Sequence, residues 1–91
     1  MQLRLIPVGE DHRPAVHALR EQFHGLRVDV DERDETVGKR IRDAELEKIP
    51  YVIVYGDKES EQALAVRKRG GEQSTLSLEA LRAEISEVAT L

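Results

Sequence analysis

An uncharged run, YVIVY at residues 51–55, places the strongest limit on how this chain can fold. It lacks the polar alternation of a strand with one face in water, so it predicts a central strand covered on both faces in a parallel sheet. The preceding segment, GKRIRDAELEK at residues 38–48, is densely charged. Such a segment predicts a helix that packs by one stripe and offers its other face to solvent or a ligand.

The charged segment carries apolar residues at helical spacing. Val37, Ile41 and Ala44 are four and three positions apart, which places them on one stripe of a helix. We expect this helix to begin at Asp34 or a neighbour and to stop before the next proline, because the residue ahead of a proline resists the helical region. Arg42 is predicted to project from a face well away from the stripe.

Two strands and a helix are predicted before this segment. QLRLIPV at residues 2–8 fits a strand, and Asp11 is expected to cap a helix that Gly25 stops. The alternation of LRVDVD at residues 26–31 predicts a strand buried on one side only. Its charged residues are then expected to face away from the core: Arg27, Asp29 and Asp31.

Two further strands and a last helix are predicted after the central strand. ALAVRKR and TLS fit the strands, RGGEQ fits the turn between them, and Ser77 is expected to cap the helix. Right-handed crossovers make the first three strands parallel, while the last two are expected to add antiparallel. The predicted fold is a three-layer α/β domain over residues 1–91, with a five-stranded mixed sheet flanked by three helices.

Composition excludes several classes of function. The 91 residues suit one small domain, and the absence of cysteine excludes disulfides, zinc–thiolate sites and thiol nucleophiles. The longest uncharged run is too short to span a bilayer, and the N-terminus lacks a signal-peptide pattern, so we expect a cytoplasmic protein with no membrane partner.

Basic residues are clustered although the net charge is -4. The acidic total argues against coating of long nucleic acids, and we expect no DNA partner. Two local patches suit contact with a small anionic target. One surrounds the second helix and the other follows the fourth strand: Arg33, Lys39, Arg40, Arg42 and Lys48; Arg67, Lys68 and Arg69.

Known catalytic motifs are missing from the sequence. His17 and His24 are two helical turns apart, roughly 10 Å, which is too far to share one metal. No serine lies in a G-x-S-x-G setting, and neither dinucleotide nor P-loop glycine motifs occur. The first turn, PVGED, offers carboxylates where a phosphate would need amides. The residues alone leave RNA binding and a protein-interaction module open, and they disfavour a small-molecule enzyme.

Three segments resemble a known family. They are D-x-R-x-E-x-x-G-x-x-I-R at residues 31–42, KIPY at 48–51 and VYGDKE at 54–59. Together with LAVRKRGGEQSTLSLEALRAEI they are similar to the C-terminal anticodon-binding domain of threonyl-tRNA synthetase. This class II domain is shared with the prolyl, histidyl and glycyl enzymes. The resemblance covers nearly the whole chain and implies the fold predicted above.

The resemblance also implies a function and a set of contact residues. The domain would hold the anticodon loop of threonine tRNA while a separate catalytic domain ligates threonine, so it would not be an enzyme by itself. It would need no cofactor, because ATP and any zinc would belong to the catalytic domain. The implied anticodon contacts are Asp34, Arg42, Lys48, Glu59 and Arg67. The other basic residues of the two patches are expected to make secondary contacts: Arg33, Lys39, Arg40, Lys68 and Arg69.

The chain departs from the family pattern at two of these positions. Asp34 stands where asparagine is common, and a carboxylate only accepts hydrogen bonds and repels phosphate. Lys48 stands where some members have arginine, so the planar fork is lost. Weaker anticodon binding is therefore expected. The alternative is a free-standing paralogue that acts as a protein-interaction or regulatory module without tRNA.

Overall fold

A computed structural model describes residues 3–23, 27–68 and 71–89, with side chains to Ile85. Its strands are β1 (Leu3–Pro7), β2 (Val28–Val30), β3 (Tyr51–Tyr55), β4 (Leu64–Lys68) and β5 (Gln73–Leu76). Its helices are a short 3₁₀ turn (Glu10–His12), α1 (Arg13–Arg20), α2 (Val37–Leu46) and α3 (Leu78–Ala89).

The strands form one mixed sheet in the order β2-β1-β3-β4-β5. β1 pairs in parallel with β2 and β3, whereas β4 and β5 add antiparallel. β3 is therefore the middle strand, and its first three residues are buried. The predicted fold class and the central position of YVIVY are confirmed.

Helices cover the two faces of the sheet unequally. The larger core, which includes Leu5, Leu19, Ile53 and Leu81, joins one face to α1 and α3. The smaller core on the other face contains Ile6, Ala44, Ile49 and Val52, and it joins α2 to β1 and β3. On the α2 side of β4 and β5, the side chains are half-buried or exposed: Ala65, Arg67, Gln73 and Thr75. The α2 layer thus leaves part of the sheet open.

The first helix begins differently from the prediction. Asp11 lies in the 3₁₀ turn, and the residue before α1 is His12, whose side chain makes no capping hydrogen bond. The prediction that Asp11 caps the helix is wrong. Gly25, the predicted stop, lies outside the described residues. The predicted cap of α3 is confirmed, because Ser77 Oγ accepts a hydrogen bond from the Ala80 amide at 3.1 Å.

The prediction that the charged side of β2 faces away from the core is confirmed for Arg27, which is exposed, but is wrong for Asp31 and in part for Asp29. Asp31 is only 8% exposed and Asp29 is half-buried. Asp29 accepts two hydrogen bonds of 3.0 Å from the buried Arg4. The strand ends at Val30, so its alternation does not extend to Asp31, whose carboxylate accepts hydrogen bonds from Arg33. Paired charges therefore occupy the side that the sequence assigned to solvent.

No helix in the described ranges has the length and hydropathy to cross a membrane.

Candidate nucleic-acid interface

An open groove runs between α2 and the outer strands β4 and β5. Two adjoining cavities form it, with volumes of about 340 and 350 Å³, and both are lined by Ile41 and Arg67. Apolar side chains such as Ile49 and Val54 line the inner wall, while Gln73 and Thr75 of β5 provide polar groups. We call this surface the α2 groove. It combines apolar area with a few hydrogen-bonding groups, which is typical of ligand-binding clefts.

Arg67 is the best-placed cation in the α2 groove. It lies on β4 opposite Val52 of β3, and 31% of its side chain is exposed. Its Nη2 atom is 4.0 Å from Glu45 Oε1, a long contact between two partly exposed groups. Its Nε atom is buried and has no hydrogen-bond partner in the described part of the chain. The partly exposed end of the guanidinium, held by no described contact shorter than 4.0 Å, is therefore the part of Arg67 that can donate to a ligand.

Arg42 lies on the solvent side of α2, as predicted. It is exposed, and no carboxylate of the described residues lies within 4.0 Å of it. Leu46, one turn further along, is 74% exposed. The preceding residue, Ile41, lines the α2 groove. Arg42 therefore lies on α2 at the rim of this groove.

Lys48 closes the C-terminal end of α2 in an unusual backbone conformation. Its amide donates to Glu45 O at 3.0 Å, and the Ile49 amide donates to Ala44 O at 3.1 Å. These two bonds form a Schellman motif, which places Lys48 at φ +60°. Glycine is the usual residue there, because a side chain at positive φ costs roughly 1–2 kcal/mol. A glycine would form the same motif without this cost, so the strain comes from the lysine side chain and not from the motif.

Glu59 is held by the turn that follows β3. Its Oε1 atom accepts a hydrogen bond of 2.8 Å from the Gly56 amide. A Cβ atom at Gly56 would lie 3.0 Å from Val8 Cγ2 and 3.2 Å from that carboxylate oxygen. The turn thus needs a glycine to hold this carboxylate. Its second oxygen accepts no hydrogen bond from the residues that the structure describes, so it can accept one from a ligand.

Asp34 lies apart from the α2 groove. It is exposed before the start of α2 and borders a separate cleft with Arg33 and Arg40. Lys48 follows the other end of this ten-residue helix, roughly 15 Å away along its axis. The structure therefore brings Arg67 into the groove, sets Arg42 and Lys48 along α2, and keeps Asp34 at the opposite end. The five predicted contacts do not converge on one pocket.

Most of the secondary basic residues are already paired. Arg33 donates to Asp31 at 2.8 Å and to Asp43 at 2.9 Å, and Lys39 is 3.2 Å from Asp43. Lys68 is 2.7 Å from Glu84 of α3, on the opposite face, and this carboxylate raises the pKa of Lys68. Their charges are therefore less available than the sequence suggested. Arg69 lies outside the described residues.

Arg40 is buried, unlike the exposed cations of the basic patch in which the sequence placed it, and its expected secondary contact stays a prediction. Its residue exposure is 4%, because Ala44 and Val37 share its helix face and draw it toward the sheet. Its Nη1 atom donates to Pro7 O at 2.9 Å and to Asp31 O at 3.0 Å. The guanidinium thus satisfies carbonyls where β1 and β2 end.

Two features of the α2 groove were not predicted from the sequence. Glu45 opposes Arg67 from α2, and its spacing of four from Ile41 could have placed it on the groove side. The polar residues 73–75 of β5 line the groove because of the register between β4 and β5, and no local sequence pattern predicts that register. In the part of the chain that the structure describes, no group of three His, Asp or Glu side chains could hold a metal.

Comparison with known proteins identifies the family. A family model described as the anticodon binding domain matches residues 2–88. The chain belongs to this family. The resemblance drawn from the three sequence segments is thereby confirmed.

Two relatives found by sequence are threonine–tRNA ligases. Threonine–tRNA ligase of Pyrobaculum neutrophilum is 44% identical over 90 residues, which cover 96% of this chain and 15% of that protein. The enzyme of Geobacillus sp. strain WCH70 is 46% identical over 94 residues, covering 93% and 15%. The chain therefore spans about a seventh of the length of these relatives.

Solved structures share the fold at lower sequence identity. The RNA binding domain of threonyl-tRNA synthetase from Cryptosporidium parvum Iowa II superposes with a TM-score of 0.86 at 23% identity, covering 94% of this chain and 23% of that one. Prolyl-tRNA synthetase from Cryptosporidium parvum gives 0.83 at 18% identity, covering 97% and 20%. These likenesses concern the fold of the anticodon-binding domain.

Proposed function

We propose that this anticodon-binding domain binds the anticodon loop of threonine tRNA and supports ligation by a separate catalytic domain. The observation that carries the proposal is Arg67, which lines an open groove with 31% of its side chain exposed and whose described ion pair, to Glu45, is 4.0 Å long. The family supplies the ligand class, since its relatives are threonine–tRNA ligases. The domain itself would need no cofactor.

The chemistry of the α2 groove suits unpaired bases. Single-stranded loops expose base edges, and an arginine can donate two parallel hydrogen bonds to guanine, worth about 1 to 3 kcal/mol of discrimination. Arg67 supplies such a fork, while Gln73 and Thr75 offer donors and acceptors beside it. Both tyrosines lie on β3 and are buried or half-buried. We therefore expect hydrogen bonds and charge, rather than aromatic stacking, to hold the bases.

Arg42 and Lys48 would hold the phosphate backbone along α2. Both are exposed, Arg42 on α2 and Lys48 just after its C-terminal end, and an exposed cation contributes a salt-dependent and sequence-independent share of affinity. Glu59 would accept a hydrogen bond from a base amino group, and Asp34 would contribute least because it lies apart from the groove. Different residues would thus recognise the bases and bind the phosphate backbone.

A titration with the threonine anticodon stem-loop tests this function. Arg67→Gln is expected to weaken binding by about tenfold, the loss of one good base contact. Arg42→Gln should weaken it less and reduce its dependence on salt. Arg82→Gln is the matched control, since Arg82 is exposed on α3, on the opposite face. Equal affinity for all four proteins, each with native thermal unfolding, would refute the proposed surface.

A further inference from the structure

A second cleft lies at the carboxyl end of β1 and is separate from the α2 groove. Its volume is about 280 Å³, and it is bordered by Gly9, Arg13, Arg33 and Arg40. The chain crosses from β1 to β2 on one side and reaches β3 on the other, so β1 ends at the point where the strand order reverses. Open α/β sheets bind ligands in the crevice at such a point. We call this the β1 cleft.

Arg40 is a buried cation of the β1 cleft without a counter-ion. No carboxylate of the described residues lies within 4.0 Å of it, and its Nε atom is buried without a hydrogen-bond partner. Arg4, which is similarly buried at 7% exposure, has carboxylates from both Asp29 and Glu47 at 3.0 and 2.6 Å. An uncompensated buried charge is costly. The contrast indicates that an anion belongs beside Arg40.

Arg13 supplies a second cation at the mouth of the cleft. Its side chain is 41% exposed, and its Nη2 atom donates to the backbone oxygen of Glu32 at 3.1 Å. The Oε1 atom of Glu32 is 4.0 Å from the Arg13 Nε atom, which is a long contact. Arg33, by contrast, is committed to Asp31 and Asp43. Arg13 and Arg40 are therefore the two guanidiniums with capacity left for a ligand.

Carboxylates also border the β1 cleft, and they limit what it can accept. Glu10, Asp34 and Glu35 are exposed, so water and salt weaken their repulsion, whereas Arg40 is shielded from both. A compact anion that reaches the buried guanidinium gains most from this arrangement. In a longer polyanion only a phosphate group seated in the cleft would gain in this way, because its neighbours would meet the exposed carboxylates.

We propose that the β1 cleft binds one phosphate group, with Arg40 beneath it and Arg13 at its mouth. Phosphate oxygens accept charge-assisted hydrogen bonds from guanidinium groups with matching geometry. The donors come from α1 and α2, so the site does not depend on amides of the PVGED turn. The phosphate is either a free inorganic ion or a phosphodiester of a bound RNA; only the second source rests on the proposed function.

Titration with inorganic phosphate at constant ionic strength tests the proposal. The Nε proton–nitrogen resonance of Arg40 is the reporter, and we expect it to shift saturably. Arg13→Gln should weaken the apparent affinity at least threefold, whereas Arg20→Gln, an exposed charge at the other end of α1, should leave it unchanged. Arg40→Lys keeps the charge but removes the fork, and it should abolish saturation if the variant folds.

A stem-loop lacking terminal phosphates then distinguishes the two sources. If it shifts the Arg40 resonance and inorganic phosphate reverses the shift, the site takes a phosphodiester. If it leaves that resonance unmoved, or does not bind, the site takes the free ion. The phosphate titration alone decides whether the site exists, so failure of RNA binding does not affect it. A linear, unsaturated response that is equal in Arg13→Gln and the wild type would overturn the proposal.

Discussion

The Nη2 atom of Arg67 on β4 lies 4.0 Å from the Oε1 atom of Glu45 on α2, so a long ion pair crosses the α2 groove from strand to helix. The carboxyl side chain is 59% exposed. Exposed pairs of this kind contribute about 1 kcal/mol or less. The contact is therefore weak enough for a ligand to replace it.

Glu45→Gln is expected to strengthen stem-loop binding about threefold, because Arg67 would no longer be shared with a carboxylate and repulsion of phosphate would fall. Glu79→Gln is the control: Glu79 is exposed on α3 and the substitution changes net charge equally. Fluorescence titration of both variants makes the comparison. Equal gains in both would assign the effect to net charge, and a loss in Glu45→Gln would show that the carboxylate positions Arg67.

Lys48→Gly is expected to stabilise the fold and weaken RNA binding together. Relief of the positive φ should raise the free energy of unfolding by about 1 kcal/mol. Lys48→Ala removes the same ammonium group but keeps a side chain at positive φ, so it should lose affinity without gaining stability. Urea unfolding and stem-loop titration separate the two effects. Unchanged affinity in both variants would exclude Lys48 from the interface.

Arg33→Gln is expected to change how stability depends on pH. Hydrogen bonds from Arg33 lower the pKa of Asp31, and the same donor, with Lys39, lowers the pKa of Asp43, both from an ordinary value of 3.8. A lowered folded-state pKa gives stability that is present above the unfolded pKa and lost as the pH falls through the folded value.

The wild type should therefore exceed Arg33→Gln in free energy of unfolding by a constant amount from neutral pH down to about pH 5. Below about pH 4 the two proteins should converge. Denaturant unfolding across this range measures the difference, with Arg82→Gln as a variant that should follow the wild type. A difference that persists undiminished to about pH 2 would contradict the account of these ion pairs.

Gly38→Ala is expected to stabilise the domain by about 0.5 to 1 kcal/mol. Gly38 lies in the first turn of α2, and a Cβ atom there would meet no heavy atom within 4 Å. Alanine then lowers the entropy lost on helix formation. Gly71→Ala is the matched comparison, because it also has open space but sits at φ +90°, so it should destabilise. Midpoints of urea unfolding with unchanged slope would report both effects.

The sequence predicted the fold well because burial dominates it. YVIVY has no polar position, so only a strand with two covered faces could accommodate it, and β3 occupies that place. The failures lie where elements end. Asp31 follows the last residue of β2, so the alternation of the strand does not determine where its side chain points. The side chain instead forms an ion pair with Arg33.

The candidate site was predictable in part. Arg42 was assigned to the outer face of α2 by its distance from the apolar stripe, and it is exposed. Arg40 shares the face of Val37 and Ala44, but the carbonyls that accept from it lie at the ends of two strands. These partners depend on tertiary structure and cannot be predicted from the local charge pattern. That pattern therefore placed Arg40 among the surface cations.

Discrimination between two anticodon stem-loops over a salt series tests whether the α2 groove reads anticodon bases. One loop carries the threonine anticodon, and the other has its second and third anticodon bases exchanged. Base reading by the α2 groove predicts a preference for the native loop that survives added salt, while total affinity falls. Equal affinity for the two loops, disappearing together as salt rises, would reduce the interaction to phosphate attraction and contradict the account.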